Sequence, residues 1–426
     1  MLRVNPAKSA ATLNDNMPES TLIIGAGHAA GQTANSLRHS GYEGSITVIG
    51  EESYPPYQRP PLSKKFLSGE MPVDRLLLRK ESFYPEHDIQ LRLGTRVTEL
   101  DRERQRVRLD DDNELPYDRL VLATGSRVRK LNMPGVDLDG IHYLRTIDDV
   151  LAMRERFQPG NNIAIVGAGY IGLEVAAVAA TVGLNVTVVE MADRVMARVV
   201  APEVSAFFER VHREAGVDIR TNSAPGGTFR GQDRVTGVTS VDGDLVPADL
   251  VLIGVGIEPA VELAEAAGLD CDNGIVVDEF CRTTDPHILA VGDCTNHPNS
   301  LLGRRLRLES VHNAQEQAKT AAATLTGKPQ PYAQIPWFWS DQYDLKLQIV
   351  GLSGNHDQVV LRGDPDSRSF AAFYMQDNLI TAVDAVNSAR EFMLSKKLLA
   401  AGARIDPEIL GDTELSFKDL ADAALS

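Results

Sequence analysis

Cysteine is scarce in this chain of 426 residues: Cys271, Cys281 and Cys294 are all there is, with no CxxC pair and nothing before position 271. That pattern builds neither a disulfide framework nor a zinc site, so no metal is expected, and it suits a reducing compartment, by default the cytoplasm. Long apolar runs are also missing, and no stretch of about 18 residues is apolar enough to span a bilayer, which sets a membrane protein aside. Basic residues are the minority, 43 against 59 acidic, for a formal charge of −16. A chain so charged repels phosphate backbones unless cations gather locally, which argues against a general nucleic-acid binder. No 34- to 50-residue solenoid period is present. Residues 1–16, MLRVNPAKSAATLNDN, have no apolar centre and so are no secretory signal. Residues 1–19 are expected as a flexible extension, with Met17 an alternative start and a weak transit peptide the other reading.

What is present is a phrase used twice. TLIIGAGHAAG begins at Thr21 and NIAIVGAGYIG at Asn162, each an apolar run followed by glycines in GxGxx spacing. Each leads into helix-like sequence, then a glycine stop, Gly41 or Gly183, then a second apolar strand closing on acid, SITVIGEE with Glu51 and NVTVVE with Glu190. Both are βαβ openings. In such a turn the first glycine makes the bend, the second lets backbone approach a pyrophosphate, and the third position lets helix and strand pack closely. Gly25, Gly27 and Ala30 fill these places in the first copy, and Gly167, Gly169 and Gly172 in the second. The acids fall near the separation of roughly 20 residues at which a carboxylate meets ribose hydroxyls. Two dinucleotides are therefore expected, one a resident carrier and one its reductant. Glu190 repels a 2′-phosphate and favours NADH over NADPH, with Arg194 and Arg198 acting against it.

Further strands, RLVLATGSR (119–127), ADLVLIGVGIEP (248–259) and HILAVGDCTN (287–296), end in glycine beside a polar residue, as parallel strands do at a ligand crevice. From about residue 331 the pattern turns to period-two alternation, which predicts a separate α+β domain.

The segments RPPLSK (59–64), YDRLVLATGSR (117–127), YLRT (143–146), GAGYIGLEVAA (167–177), ILAVGDC (288–294), LESVHNAQEQA (308–318) and PWFWSDQYDLKLQIVGL (336–352) are similar to those of the FAD-dependent, NADH-using ferredoxin reductases of bacterial haem-thiolate monooxygenases and ring-hydroxylating dioxygenases. The resemblance runs over residues 20–415. It implies an α/β, glutathione-reductase-like flavoprotein with two Rossmann-type dinucleotide-binding domains and a C-terminal α+β domain. The expected divisions are 20–145 with 258–330 for FAD, 146–257 for NAD and 331–426 for the C-terminal domain. It places FAD against Gly25, Gly27, His28, Ala29, Glu51, Arg59, Lys64, Val97, Ala123, Thr124, Gly125, Arg145, Asp293, Val311, His312 and Trp339. NADH falls to Gly167, Gly169, Tyr170, Ile171, Gly172, Glu190 and Gly256. His312 stands where relatives carry other residues, so its role does not transfer.

The same resemblance makes Lys64 and Glu174 an ion pair beside the reacting flavin ring, a structural salt bridge being the alternative. A helix beginning near Val311 would turn its positive end toward reduced flavin. Trp337 and Trp339 line the flavin and the electron exit, or pack a domain interface. The implied partner is a 2Fe-2S ferredoxin. Because such ferredoxins are acidic, docking needs a local basic patch, for which Arg304, Arg305 and Arg307 are the first candidates and Arg390, Lys396 and Lys397 the next. A monomer or weak dimer is expected. Other readings on the same scaffold are a disulfide or peroxide reductase, a monodehydroascorbate reductase and an apoptosis-inducing-factor-like flavoprotein.

Overall fold

The computed structural model describes residues 20–354 and 356–426. The extension expected at 1–19 lies outside the described residues.

Two parallel sheets carry the duplicated phrase. The first has strand order Ile288–Ala290, Arg119–Leu122, Ser20–Ile24, Ser45–Ile49, Ile89–Arg92. Its strands are apolar at consecutive positions because both faces are covered. Ile23, Val48 and Val121 point into a core with the helices His28–His39 and Val311–Leu325. Leu22, Ile24, Leu120 and Leu122 point the other way, onto a three-stranded meander of Val97–Asp101, Arg106–Leu109 and Glu114–Pro116.

The second sheet repeats the plan, with order Asp218–Arg220, Asn185–Val189, Asn162–Val166, Leu250–Ile253, Ile141–His142. Ile163 and Ile165 face a core shared with the helices Tyr170–Val182 and Pro202–Glu214. Ala164 and Val166 face the meander Pro225–Gly231, Val235–Ser240, Leu245–Pro247. The short Ile141–His142 strand belongs to this second sheet although it precedes residue 146.

The alternating C-terminal segments form one antiparallel sheet, ordered Trp337–Gln342, Leu345–Gly351, Leu379–Val386, Ser369–Gln376, Gln358–Asp364. One face packs under the helices Ala389–Ala401 and Phe417–Leu425, through Val350, Phe373, Val383, Phe392 and Phe417. The opposite face sends Leu347, Ile349 and Phe370 into the same core as Leu62, Phe66, Leu173 and Phe207. Phe207 and Phe370 meet edge to face at 5.0 Å. Each such side chain contributes about 1.5–3 kcal/mol on burial, so a core shared by the second sheet, the C-terminal sheet and residues 57–76 of the first unit holds the three units together. That packing sets the distances at the site.

Candidate functional site

The two glycine turns are built alike. Gly25 has φ +109°, and a Cβ there would lie 2.2 Å from the Ala123 carbonyl oxygen; Gly167 has φ +104°, with the Gly254 oxygen at 2.5 Å. Any other residue would be strained twice over. Gly27 and Gly169 differ: each is the N-cap of its helix in extended conformation, without a side-chain cap, and nothing lies within 4 Å of where a Cβ would be. Free N–H donors thus face open space at both helix starts, and an anionic pyrophosphate fits there. Gly172 is pinned by the Gly167 oxygen, 2.1 Å from a built Cβ, while its counterpart Ala30 is fully buried.

The closing acids do not behave alike. Glu190 accepts from the amides of Ala168, at 2.6 Å, and Ala192, at 2.8 Å, and so ties its strand end to the second glycine turn. Glu51 is exposed, with Arg96 3.7 Å away. Its neighbour Glu52 is instead engaged within the protein. Arg59 donates to Glu52 at 2.6 Å, to the Tyr57 hydroxyl at 2.8 Å and to the Arg145 carbonyl at 2.6 Å. Arg59 is therefore a brace between the RPPLSK loop and the chain around Arg145.

Behind the first turn, Asp293 accepts from Ser126 Oγ at 2.9 Å and from Arg145 at 3.2 Å. Arg145 Nε is buried without a partner, an orphan donor beside Gly125, whose φ is +68°. Thr124 Oγ1 is spent on the Ala260 carbonyl at 2.7 Å. Burial, with the Arg59 charge adding to it, pushes the His28 imidazole down to about 4, against the opposing pull of Asp293. His28 is neutral at pH 7. Val97 starts the meander and Val311 the helix Val311–Leu325, both half-buried. A cluster with an orphan guanidinium donor and an open anion cradle fits a dinucleotide.

One ion pair joins the two sheets' units. Lys64 Nζ lies 2.6 Å from Glu174 Oε2. Pro60 and Pro61 stiffen the short helical turn Pro60–Ser63 that ends at Lys64, whose ammonium also donates to the Pro60 carbonyl at 3.2 Å. Glu174, only 3% exposed, comes from the Tyr170–Val182 helix. Ser63 donates to its Oε2 and Ser340, at 2.7 Å, to its Oε1. Neither serine stood out in the sequence, though both lie within RPPLSK and PWFWSDQ.

The pyridine nucleotide-disulphide oxidoreductase family matches residues 19–318, and the reductase C-terminal family matches 337–421. Putidaredoxin reductase of Pseudomonas putida is 44% identical over 96% of this chain and 98% of its own length. The ferredoxin–NAD(+) reductase component of the anthranilate 1,2-dioxygenase system of Burkholderia cepacia is 45% identical over 93% and 98%. The chain superposes on the crystal structure of the covalent putidaredoxin reductase–putidaredoxin complex with a TM-score of 0.93, at 44% identity, covering 96% of this chain and 99% of that one. This chain belongs to the putidaredoxin reductase-like ferredoxin reductases.

The reductase is an oxidoreductase of the pyridine nucleotide-disulphide oxidoreductase family, with FAD and NAD(H) as its cofactors. Its thiols are not built for disulfide chemistry. Burial pushes the Cys271 thiol up to about 11, and Cys281 and Cys294 are fully buried with their thiols raised as well. All three are protonated and poorly nucleophilic at neutral pH. Alkylation with iodoacetamide at pH 7 is accordingly expected to leave NADH oxidation by the holoenzyme within about two-fold of the untreated rate; proportional loss of activity with label would show a working thiol.

Aromatic groups connect the units of the reductase. The Trp337 ring lies tilted at 5.8 Å from Trp339 and at 5.3 Å from His312, and edge to face at 5.6 Å from Phe392, with Lys396 Nζ 4.6 Å above it. Burial lowers the pKa of His312, Lys396 and Lys319 adding to the effect and Glu316 opposing it, and its Nδ1 is buried without a partner. Tyr170 meets Phe338 edge to face at 4.8 Å, its hydroxyl buried and unpartnered. Ile171 is 45% exposed at the second helix start. Gly256 has φ +105° with Arg198 nearby. Arg194 is committed to the carbonyls of Ala197, at 2.8 Å, and Val200, at 2.9 Å, and has little freedom to meet a 2′-phosphate.

Of the expected basic patch at 304–307, the structure leaves only part unengaged. Arg305 donates to the Val277 carbonyl at 2.7 Å and to the Asn296 carbonyl, stitching its own sheet. Arg307 is mostly buried, paired with Glu309 and bonded to Asn273 at 3.1 Å. Only Arg304 of the three has a free, exposed guanidinium. A run of cations in sequence loses its reach when the backbone carbonyls beside it need donors. No helix among the described residues is long and apolar enough to cross a membrane.

Proposed function

We propose that the reductase takes a hydride from NADH and delivers the electrons singly to a 2Fe-2S ferredoxin that supplies an oxygenase. Bound FAD supplies the conversion from a two-electron donor to one-electron output. Gly25 to Ala29, Glu51, Val97, Ala123 to Gly125, Arg145, Asp293, Val311, His312 and Trp339 would hold it, with Arg59 bracing the loop that carries Lys64. Gly167 to Gly172, Glu190 and Gly256 would hold the nicotinamide nucleotide. The observation that carries the reading is the 2.6 Å Lys64–Glu174 pair between the two nucleotide units.

Lys64 spends two contacts, on Glu174 and Pro60. Its remaining N–H is left for the reacting partners, and Glu174 fixes where it points. The start of the Val311–Leu325 helix offers partial positive charge to an anion. The two tryptophans and His312 pack together at this helix start and border the helix Ala389–Ala401.

Ferredoxin docking falls, on this reading, to the outer face of that helix, where Arg390 and Lys397 are exposed and Lys396 covers Trp337. The test is turnover. NADH is expected to bleach the flavin absorbance, and steady NADH oxidation is expected to require an added ferredoxin. Charge reversal at Arg390 and Lys397 should lower ferredoxin reduction about ten-fold at low salt, with the deficit shrinking as salt rises, and spare reduction of a small artificial acceptor. Equal loss with both acceptors would remove these residues from docking, and a flavin untouched by NADH would remove the whole reading.

A further inference from the structure

Glu174 stands at the end of a longer run of buried hydrogen bonds, and the chemistry of its members allows only one direction. A carboxylate accepts and does not donate. Ser340 has one hydroxyl proton, and it goes to Glu174 Oε1 at 2.7 Å. Toward its other neighbour Ser340 can then only accept, so the group 3.2 Å away must be the Gln342 amide N–H. That orients the amide, leaving Gln342 Oε1 to face His212 Nε2 at 2.9 Å. A carbonyl oxygen there needs a donor, so the imidazole proton sits on Nε2. The bare Nδ1 accepts from the Tyr343 hydroxyl at 3.1 Å. Every link donates toward Glu174.

Water does not compete with the links from His212 to Glu174, while Tyr343 at the far end is half-buried. Glu174 is 3% exposed, Ser340 and Gln342 1%, and His212 0%. Burial pushes the His212 imidazole down to about 4, so at neutral pH it carries the single ring proton this direction requires. Ser340 and Gln342 are two apart on the Trp337–Gln342 strand and so share a face. His212 comes from the Pro202–Glu214 helix of the NAD unit. Tyr343 turns the hairpin at φ +56°, a left-handed conformation rarely adopted by bulky residues and usually given to glycine or asparagine. A tyrosine held there has its hydroxyl in use.

We propose that Tyr343, His212, Gln342 and Ser340 are positioning residues for the Lys64–Glu174 pair: their aligned donors end on Oε1, fix how the carboxylate is turned, and leave Oε2 toward Lys64. The C-terminal sheet thereby controls the geometry of an ion pair whose two members belong to other units. This inference rests on the role proposed above for that pair, and the experiment separates the two.

The holoenzyme is reduced by NADH anaerobically in a stopped-flow series over NADH concentration. Ser340→Ala removes the donor on Oε1, and the limiting rate of flavin reduction is expected to fall about ten-fold while the NADH concentration for half-maximal rate stays within about two-fold. Gln342→Met, farther from the pair, is expected to lower the limiting rate by a smaller amount. Ser340→Thr, which keeps the hydroxyl, is expected to recover most of the loss. A limiting rate unchanged in both Ser340→Ala and Gln342→Met at full flavin occupancy overturns the relay, as does an equal loss in Ser340→Thr. Should Ser340→Ala lose its flavin or melt far below the parent, Gln342→Met decides alone. If Glu174→Gln itself reduces at the parental rate, the role of the ion pair fails instead.

Discussion

A Gly27→Val variant is expected to emerge folded and colourless. Gly27 sits at φ −88° and ψ −165°, in extended backbone that valine adopts readily, and a Cβ there meets no protein atom within 4 Å. The substitution therefore costs the fold little. What it fills is the open space in front of the free amides of the His28–His39 helix, where a pyrophosphate would lie. Displacing a charged phosphate from several N–H donors forfeits charge-assisted hydrogen bonds worth about 1.5–3 kcal/mol each, so FAD affinity should fall by at least about 100-fold. Gly25→Ala is the contrast. It combines φ +109° with a 2.2 Å collision against the Ala123 carbonyl, so the fold itself should suffer, by several times the ~1–3 kcal/mol of a single strained residue. Flavin-to-protein ratio and thermal melting read the two effects separately. A Gly27→Val protein retaining a full complement of flavin would show that the first turn holds no cofactor phosphate.

Replacing Glu174 by glutamine is expected to slow flavin reduction by NADH about 10²- to 10³-fold, the range seen when one preorganised charged contact leaves a reacting centre. Glutamine keeps the shape and can still accept from Ser340, so the loss is of charge. Lys64, 17% exposed, is left without its partner 2.6 Å away. Removing one member of a buried pair costs about 3–5 kcal/mol of stability where water is excluded, and less here because Lys64 retains some solvent. A Lys64→Met/Glu174→Gln double variant should be no slower than the worse single variant, since the two act as one unit. Reduction within three-fold of the parental rate, with flavin retained, would make the pair a structural salt bridge.

Much of the fold was legible because its requirements are local. At Gly25 and Gly167 only glycine combines the positive φ with contact against a neighbouring strand, so the residue type announces the turn. Consecutive apolar residues such as Ile23 and Ile24 announce a strand covered on both faces, and their distribution between two cores bears this out. Alternation after residue 331 announced strands of an α+β domain, and the structure joins them in one antiparallel sheet that Trp337–Gln342 opens. Lys64 and Glu174 were named from a resemblance, and the structure brings them together.

Other assignments could not be made from order along the chain. Glu51 and Glu52 are adjacent and chemically alike, yet one is exposed and the other is held by Arg59. Arg304, Arg305 and Arg307 look equivalent until the carbonyls of Val277 and Asn296 claim Arg305 and Glu309 claims Arg307. Ser340 reaches Glu174 across 166 positions of chain, and His212 reaches Gln342 across 130.

The chain alone thus specified two dinucleotide cradles and a third, alternating unit, because steric and periodic demands are written in neighbouring residues. Which charges are free, and which donors end on Glu174, was decided by how the three units pack against one another. Hydrogen-bond partners are chosen by distance and burial in space, and no spacing in the sequence encodes either.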